Sequence, residues 1–345
     1  MPIVRARARP RATITSVARV AGVAVGTVSK HLNGSGPVAV ATARRIQQAI
    51  DRLGYRVNLS ARCLRARRSD SVGLILPNLA NPFFAELAHA IQQALTERGL
   101  QTLLCESDEN PDREGRLLED LEARQVDGVL FIRASDRSTA AGRLPTIYLD
   151  RPVAGRPSVA SDNKLGGALV AQHLLSLGHR RMAVLREDRT AVSTAERVKG
   201  FAAALRRRGV NLRDEDVLAG PPCGTAAHVR AIELGRQVQE LMRGKVPPTA
   251  IFATSDVVAI ATARRLLELG FKIPDDVSLV GFDDIEMSAY VFPPLTTIRQ
   301  DRAAMAREAI GALEQLLAGD EAPPAEALVE PKLVVRASTA PPRMP

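Results

Sequence analysis

Residues Gly22–Leu32 read GVAVGTVSKHL, two glycines and three valines in eleven positions of helical context. Glycine and valine are poor helix formers. A helix here must be held by its neighbours and not by its own propensity. Working outward, Val17, Ala18 and Ala21 fall on one helical face just before Gly22. Gly22 can take positive φ and end that helix. The spacing predicts three short helices, over about 15–21, 25–32 and 40–53, with stops at Gly22, Asn33-Gly34 and Gly54. Thr13 can cap the first, with Ser16 where a capping box prefers Glu or Gln. Two short helices about one glycine, with small Ala18 at the crossing and Val28 in the shared core, predict a helix-turn-helix. A helical hairpin of another kind can show the same spacing. In a helix-turn-helix the second helix enters the major groove. Val23 and Val28 then face the core, Val25, Gly26, Ser29 and Lys30 face outward, and Thr27 lies near the backbone.

Charge points the same way. Residues 1–70 hold 14 Arg and Lys against two acids, a net +12, while the remainder holds 33 basic and 36 acidic residues, a net −3. A compact basic segment on a near-neutral body implies a polyanion partner, most simply nucleic acid. A solvated basic tail accounts for Arg5–Arg11 but not for the patterned residues after Thr13. Residues 58–65, NLSARCLR, interleave Leu59, Cys63 and Leu64 with Arg62 and Arg65. This is either a charged linker or a segment that folds on DNA and presses an apolar wedge into the minor groove.

From Ser71 onward apolar strands alternate with helices, and the pattern restarts near residue 165. Such alternation predicts parallel sheets with helices on both faces. Two such halves predict two lobes with a cleft, since ligands bind at the carboxyl ends of the strands. Enzyme signatures are missing: no GxGxxG, no GxxxxGK[ST] and no GxSxG occurs. The paired acids Asp283 and Asp284 in GFDDIE suit ligand binding or helix capping better than catalysis. The three cysteines are dispersed and lack CxxC spacing, which suggests reduced thiols, and the five histidines form no ligand cluster. No apolar run nears the ~20 residues of a membrane span, and the basic start lacks a secretory h-region, so a cytoplasmic location is expected.

The motifs VARVAGVAVGTVSKHLN, LGYRVNLSARCLR, VGLILPNLANPFFAEL, ERVKGF and VGFDDIEMSAYVFPPLTTIRQD occur in that order. Together they resemble the lactose/galactose-repressor (LacI/GalR) family of bacterial transcription regulators, over Thr13 to about Ser338. The resemblance implies a disordered basic arm (1–12), a helix-turn-helix domain (13–56), a hinge helix and linker (57–70), an effector-binding and dimerisation domain (71–338) and a tail (339–345). The body is expected to be periplasmic-binding-protein-like, with two doubly wound lobes. The N-lobe spans about 71–157 and 297–326, and the C-lobe about 158–295 and 328–338, with crossovers near 157–161, 294–298 and 325–330. The implied function is a repressor controlled allosterically by a small molecule, a sugar or sugar derivative, in the interlobe cleft. Implied partners are a pseudo-palindromic double-stranded operator, the effector and a second copy of the chain; no cofactor, metal or membrane is implied.

The resemblance also implies roles. Val25 and Gly26 take the main base-reading positions and Lys30 a position usually held by arginine. Thr15, Thr27, Ser29, Asn33 and Arg62 fall among DNA contacts, and Leu64 matches the minor-groove wedge. Phe83 and Phe84 match the aromatic pair of the cleft, Arg197 the effector-binding arginine and Asp283 the acid facing it. Ser255 and Asp256 stand where Asn-Asp is common, and Asp162 and Asn163 sit at the first crossover. There are departures. Gly26 lacks a base-reading side chain, Ala39 replaces a Ser cap at a cost of ~1 kcal/mol, and Pro221 lies near the usual stacking aromatic. Arg186, Arg189 and Arg197 near one mouth suggest an anionic effector, unless the first two are solvated loop residues. A sugar-binding protein without gene control is countered by the basic head, and an enzyme by the missing site chemistry.

Overall fold

The computed structural model describes residues 12–33, 35–55, 69–134, 142–186, 191–220, 227–319 and 325–343. The chain divides into two compact units, Met1–Ser69 and Asp70–Pro345. The segment expected as a hinge, with Arg62 and Leu64, lies outside the described residues, as does the arm up to Arg11.

In the first unit α1 is Ile14–Ala21, α2 Val25–Asn33 and α3 Val40–Leu53. Thr13 and Ser16 complete a reciprocal capping box, so serine does the work usually given to Glu or Gln. Gly22 sits at φ 65°, and its amide returns to the carbonyls of Ala18 and Arg19. An L side chain is strained there. Val17, Ala18, Ala21, Val28, Ile46 and Ala49 form the small core, with Val23 packed against it. Ala39, just before α3, supplies no side-chain cap.

The body opens with β1 (Ser71–Leu76), buried throughout. Then come α4 (Pro82–Glu97), β2 (Gln101–Glu106), α5 (Pro111–Ala123), β3 (Gly128–Phe131), β4 (Thr146–Leu149) and β5 (Ser158–Ser161). α6 (Asn163–Ser176), β6 (Met182–Arg186), α7 (Val192–Arg206), β7 (Val217–Ala219), α8 (Ala227–Arg243), β8 (Ala250–Ala253), α9 (Asp256–Glu268) and β9 (Ser278–Val280) follow. β10 (Thr297–Arg299), α10 (Arg302–Ala318), β11 (Ala327–Val329) and β12 (Lys332–Val334) close the chain. One parallel sheet has the order β11-β5-β4-β3-β1-β2, and a second, also parallel, β7-β6-β8-β9. β10 and β12 pair antiparallel beside the second lobe, where Ile298 joins its core.

The lobe borders fall later than the sequence expected. β5, placed in the C-lobe, is a strand of the first sheet, and β11 pairs with it in register Ala327 to Val159. β10, placed in the N-lobe, stands with the second lobe: Asp283 N–H donates to Ile298 O at 2.8 Å. The crossovers therefore follow β5, β10 and β11. These strands span three or four residues, SVAS, TIR and ALV, too short for periodicity to reveal. α5 begins at Pro111. Asn110 caps it and Pro111 takes its first turn, where a missing N–H costs nothing.

Candidate functional site

The strand order reverses at β1/β3 in the first sheet and at β6/β8 in the second, and a cleft forms beyond these carboxyl ends. Pro77 follows β1, Asp150 and Arg151 follow β4, and Ser255 follows β8; all line one cavity. Asn81, Phe83 and Phe84 reach it from the start of α4, where Asn81 caps the helix by accepting from Phe83 N–H at 3.1 Å. The two phenyl rings meet edge to face with centroids 5.3 Å apart, a favourable quadrupolar arrangement. Ser193, Thr194 and Arg197 come from the first turns of α7.

Arg197 is the centre of the polar floor, with 5% of its side chain exposed. Its Nε donates to Asn163 Oδ1 at 2.7 Å and its Nη1 to the Thr254 carbonyl at 2.6 Å. Nη1 also faces Asp283 Oδ1 at 3.4 Å, and the guanidinium carbon stacks 3.8 Å from the Phe282 ring centroid. Asp283 is aimed by its backbone, which takes φ 123°, a costly value for a non-glycine residue. Gln300 donates to its carboxylate at 2.7 Å and Arg302 to its carbonyl at 2.7 Å. The site thus brings a fixed guanidinium, a fixed carboxylate and an aromatic wall together, which suits a small ligand rich in hydroxyls.

Phe83, Phe84, Arg197, Ser255 and Asp283 line the cavity, while Asp162 and Asp256 do not. Asp162 caps α6, accepting from Leu165 N–H at 2.8 Å. Its neighbour Asn163 acts indirectly, by orienting Arg197. Asp256 is buried behind the cleft, accepting from the Thr297 hydroxyl at 2.5 Å and Ile285 N–H at 2.9 Å. Burial foremost, with the Asp284 charge adding, pushes its carboxyl up to about 7 against those hydrogen bonds and the Arg336 charge. Burial would also raise Asp284, but hydrogen bonds and charge from Arg299 and Arg336, each at 2.6 Å, outweigh it and hold this acid low. Arg186 donates to the Thr194 hydroxyl at 3.3 Å and does not line the cavity. Arg189 and Pro221 lie outside the described residues.

The sequence reading missed Glu109, Asp150, Arg151, Ser193 and Arg230, all cavity-lining. The carboxyl-end rule could have flagged Asp150 and Arg151 directly after β4. Nothing marked Arg230, which reaches the cleft from α8. Among the described residues no cluster of His, Cys, Asp and Glu could hold a metal ion, and no helix is long and apolar enough to cross a membrane.

On the head, Val25 is 38% exposed at the start of α2, and Gly26 and Lys30 are exposed beside it. A Cβ added at Gly26 would meet nothing within 4 Å, so its surroundings are open. Thr15 is exposed on α1, and Thr27 and Ser29 are half-buried. Asn33 ends α2; its side chain is outside the described set.

Residues 13–58 match the lacI family of bacterial regulatory proteins and residues 171–339 a periplasmic binding protein-like domain. The HTH-type transcriptional regulator DegA of Bacillus subtilis is 31% identical over 341 residues, 96% of this chain and 99% of that protein. The ribose operon repressor of Escherichia coli K12 is 29% identical over 313 residues, 88% and 92% of the two chains. Among solved structures, the lac repressor dimer bound to operator and the anti-inducer ONPF superposes with a TM-score of 0.85 at 25% identity, covering 96% of this chain and 100% of that one. A head with an exposed recognition helix, a two-sheet body with a polar cleft, and relatives matched over nearly their whole length lead to one conclusion: this chain belongs to the LacI family of bacterial regulatory proteins and is a DNA-binding transcriptional regulator, not an enzyme.

Proposed function

We propose that the chain is an operator-specific repressor whose DNA affinity is set by a small molecule, a sugar or sugar derivative, bound in the interlobe cleft. The buried Arg197–Asp283 pair, which lines one cavity with Phe83 and Phe84, carries this reading. A ligand with several hydroxyls bonds the guanidinium and the carboxylate and lays its C–H face on the aromatic wall. The cavity lining holds three arginines, Arg151, Arg197 and Arg230, and three acids, Glu109, Asp150 and Asp283. That balance favours a neutral polyhydroxyl effector over the anionic one suggested by the loop arginines. Two of the similar proteins, the ribose operon repressor and the lac repressor, support the same class. A homodimer fits the exposed apolar side chains of Met287, Tyr290 and Phe292, 53%, 71% and 89% exposed along one short segment.

The test has two stages. Selection from random duplexes should enrich a pseudo-palindrome bound far more tightly than bulk DNA at moderate salt. Neutral sugars, sugar acids and sugar phosphates are then screened by thermal shift and by operator gel shift. Neutral sugars that raise the melting temperature and alter operator binding support the proposal. Enrichment of no sequence overturns the DNA reading. Response only to sugar acids or phosphates overturns the neutral effector.

A further inference from the structure

One ion pair in the cleft joins the two lobes directly. Glu109 lies on the first lobe, between β2 and α5, and Arg230 on α8 of the second. Arg230 Nη1 donates to Glu109 Oε2 at 2.9 Å and Nη2 to Oε1 at 3.5 Å. The side chains are 25% and 15% exposed for Arg230 and Glu109, so water screens the pair less than a surface one.

The first-lobe half is built to present its carboxylate. Asp108 and Glu109 take φ 57° and 54°, two successive non-glycine residues in the left-handed region. Such strain persists only where surrounding contacts enforce it. Here Glu109 N–H donates to Pro77 O at 2.8 Å and Asn78 Nδ2 donates to Glu109 Oε1 at 3.0 Å. Pro77, Asn78 and Glu109 all belong to the first lobe, so they move as one, while Arg230 moves with the second.

The cavity between the lobes is narrow and partly open to solvent, and residues of both lobes line it. Parting the lobes widens it. Near the crossovers Arg302 holds both lobes, donating to the Asp283 and Asp284 carbonyls at 2.7 and 3.1 Å and pairing with Glu86 at 3.0 Å. Those contacts sit where the chain itself passes between lobes and can turn with it. Glu109 and Arg230 have no such tether between them, and parting the lobes pulls them apart.

We infer that Glu109 and Arg230 form a latch across the cleft that sets the ratio of closed to open body, and through it the affinity of any ligand the cleft takes up. The inference rests on the cleft being the effector site. A ligand that binds only one of the two states gains or loses affinity with that state's population.

The experiment measures the lobe separation without any ligand. Spin labels at Asp112→Cys and Ile232→Cys, both exposed, are placed in the full chain with Cys63, Cys105 and Cys223 changed to Ser. Pulsed dipolar spectroscopy then gives the distance distribution. The short distance should dominate in the parent. Glu109→Gln and Arg230→Gln should each lower the closed-to-open ratio by roughly three- to ten-fold, the range for losing one ordinary intramolecular hydrogen bond. Arg236→Gln, which breaks pairs with Glu233 and Glu240 on the same helix, should leave the distribution unchanged. Distributions unaffected by both cleft substitutions overturn the latch. So does an equal shift in the Arg236 control, which would trace the change to α8 itself. Operator selection on the same proteins separates the two proposals. Loss of selection in the parent with the latch still responding overturns the repressor and leaves the latch standing.

Discussion

Arg197 shows how much one side chain can be asked to do. It is buried, it spans Asn163, Thr254 and Asp283, and it stacks on Phe282. Substitution by methionine keeps the bulk but leaves Asp283 without the cation. Gln300 still donates to that carboxylate, so the loss is partial. Breaking a buried pair by removing one partner typically costs about 3–5 kcal/mol. Arg197→Met should therefore lose about 3 kcal/mol in denaturant unfolding and abolish the ligand response of the cleft. A variant with full ligand response would show that Arg197 is only structural. Sequence made Arg197 and Asp283 visible because each sits in a recognisable motif. It mis-stated Asp256 because neighbouring acids look alike in a string, while only the fold shows that this carboxylate is consumed by Thr297 and Ile285.

At the scale of elements, α7 and α6 govern where Arg197 sits. Gly200 on α7 would place a Cβ 1.9 Å from the Lys164 carbonyl oxygen, and Gly167 on α6 would place one 1.9 Å from that of Arg197. The helices touch backbone to backbone at these two points, and no side chain fits. Gly200→Ala should push them apart, at a cost of at least about 1–3 kcal/mol from overpacking. It should also weaken ligand binding, since α7 carries Ser193, Thr194 and Arg197 into the cleft. A Gly200→Ala protein with unchanged melting temperature and ligand affinity would refute the close-contact account. Gly200 stands in ERVKGF, so its presence was legible. The reason for it was not, because the clash is with Lys164, on another helix.

Over the whole body, residues 339–345 are expected to be a tail, yet Thr339 and Ala340, with Ser338 before them, are stitched to the second lobe. Ser338 donates to Leu279 O at 2.6 Å, and His173 Nε2 meets the Thr339 hydroxyl at 3.0 Å. His179 Nε2 bonds the Ala340 carbonyl at 2.9 Å, which requires a proton on that nitrogen, while Nδ1 faces the Thr249 hydroxyl at 2.9 Å. Burial lowers both imidazoles below their ordinary 6.5; for His179 the Ala340 bond opposes this and the His173 charge adds to it. The folded protein then binds these protons less readily than the unfolded chain. Their stabilising contribution is complete above pH 6.5 and is lost as pH falls through the lowered values. Asp256 works the other way: its contribution is complete below 3.8 and is lost as pH rises through about 7. His179→Gln should therefore flatten the drop in melting temperature between pH 7 and pH 5, and Asp256→Asn should steepen it. Equal slopes in wild type and His179→Gln would remove the histidine from this account.

The helix-turn-helix, the two parallel-sheet lobes and the basic head were legible in the sequence alone, and the motifs that carry the family resemblance pointed to Arg197 and Asp283 in the cleft. Each of these is written in local pattern: a glycine between amphipathic helices, strand-helix alternation, a run of arginines, a motif of a few residues. Only the tertiary structure decided which lobe β5, β10 and β11 join, that Glu109 and Arg230 meet, and that Asp162 and Asp256 are not part of the cavity lining. Most of those outcomes depend on groups distant in sequence meeting in space, such as Asp256 with Ile285, Arg230 with Glu109 and Ala327 with Val159. A short strand or a lone charge carries no period of its own from which its partner could be read.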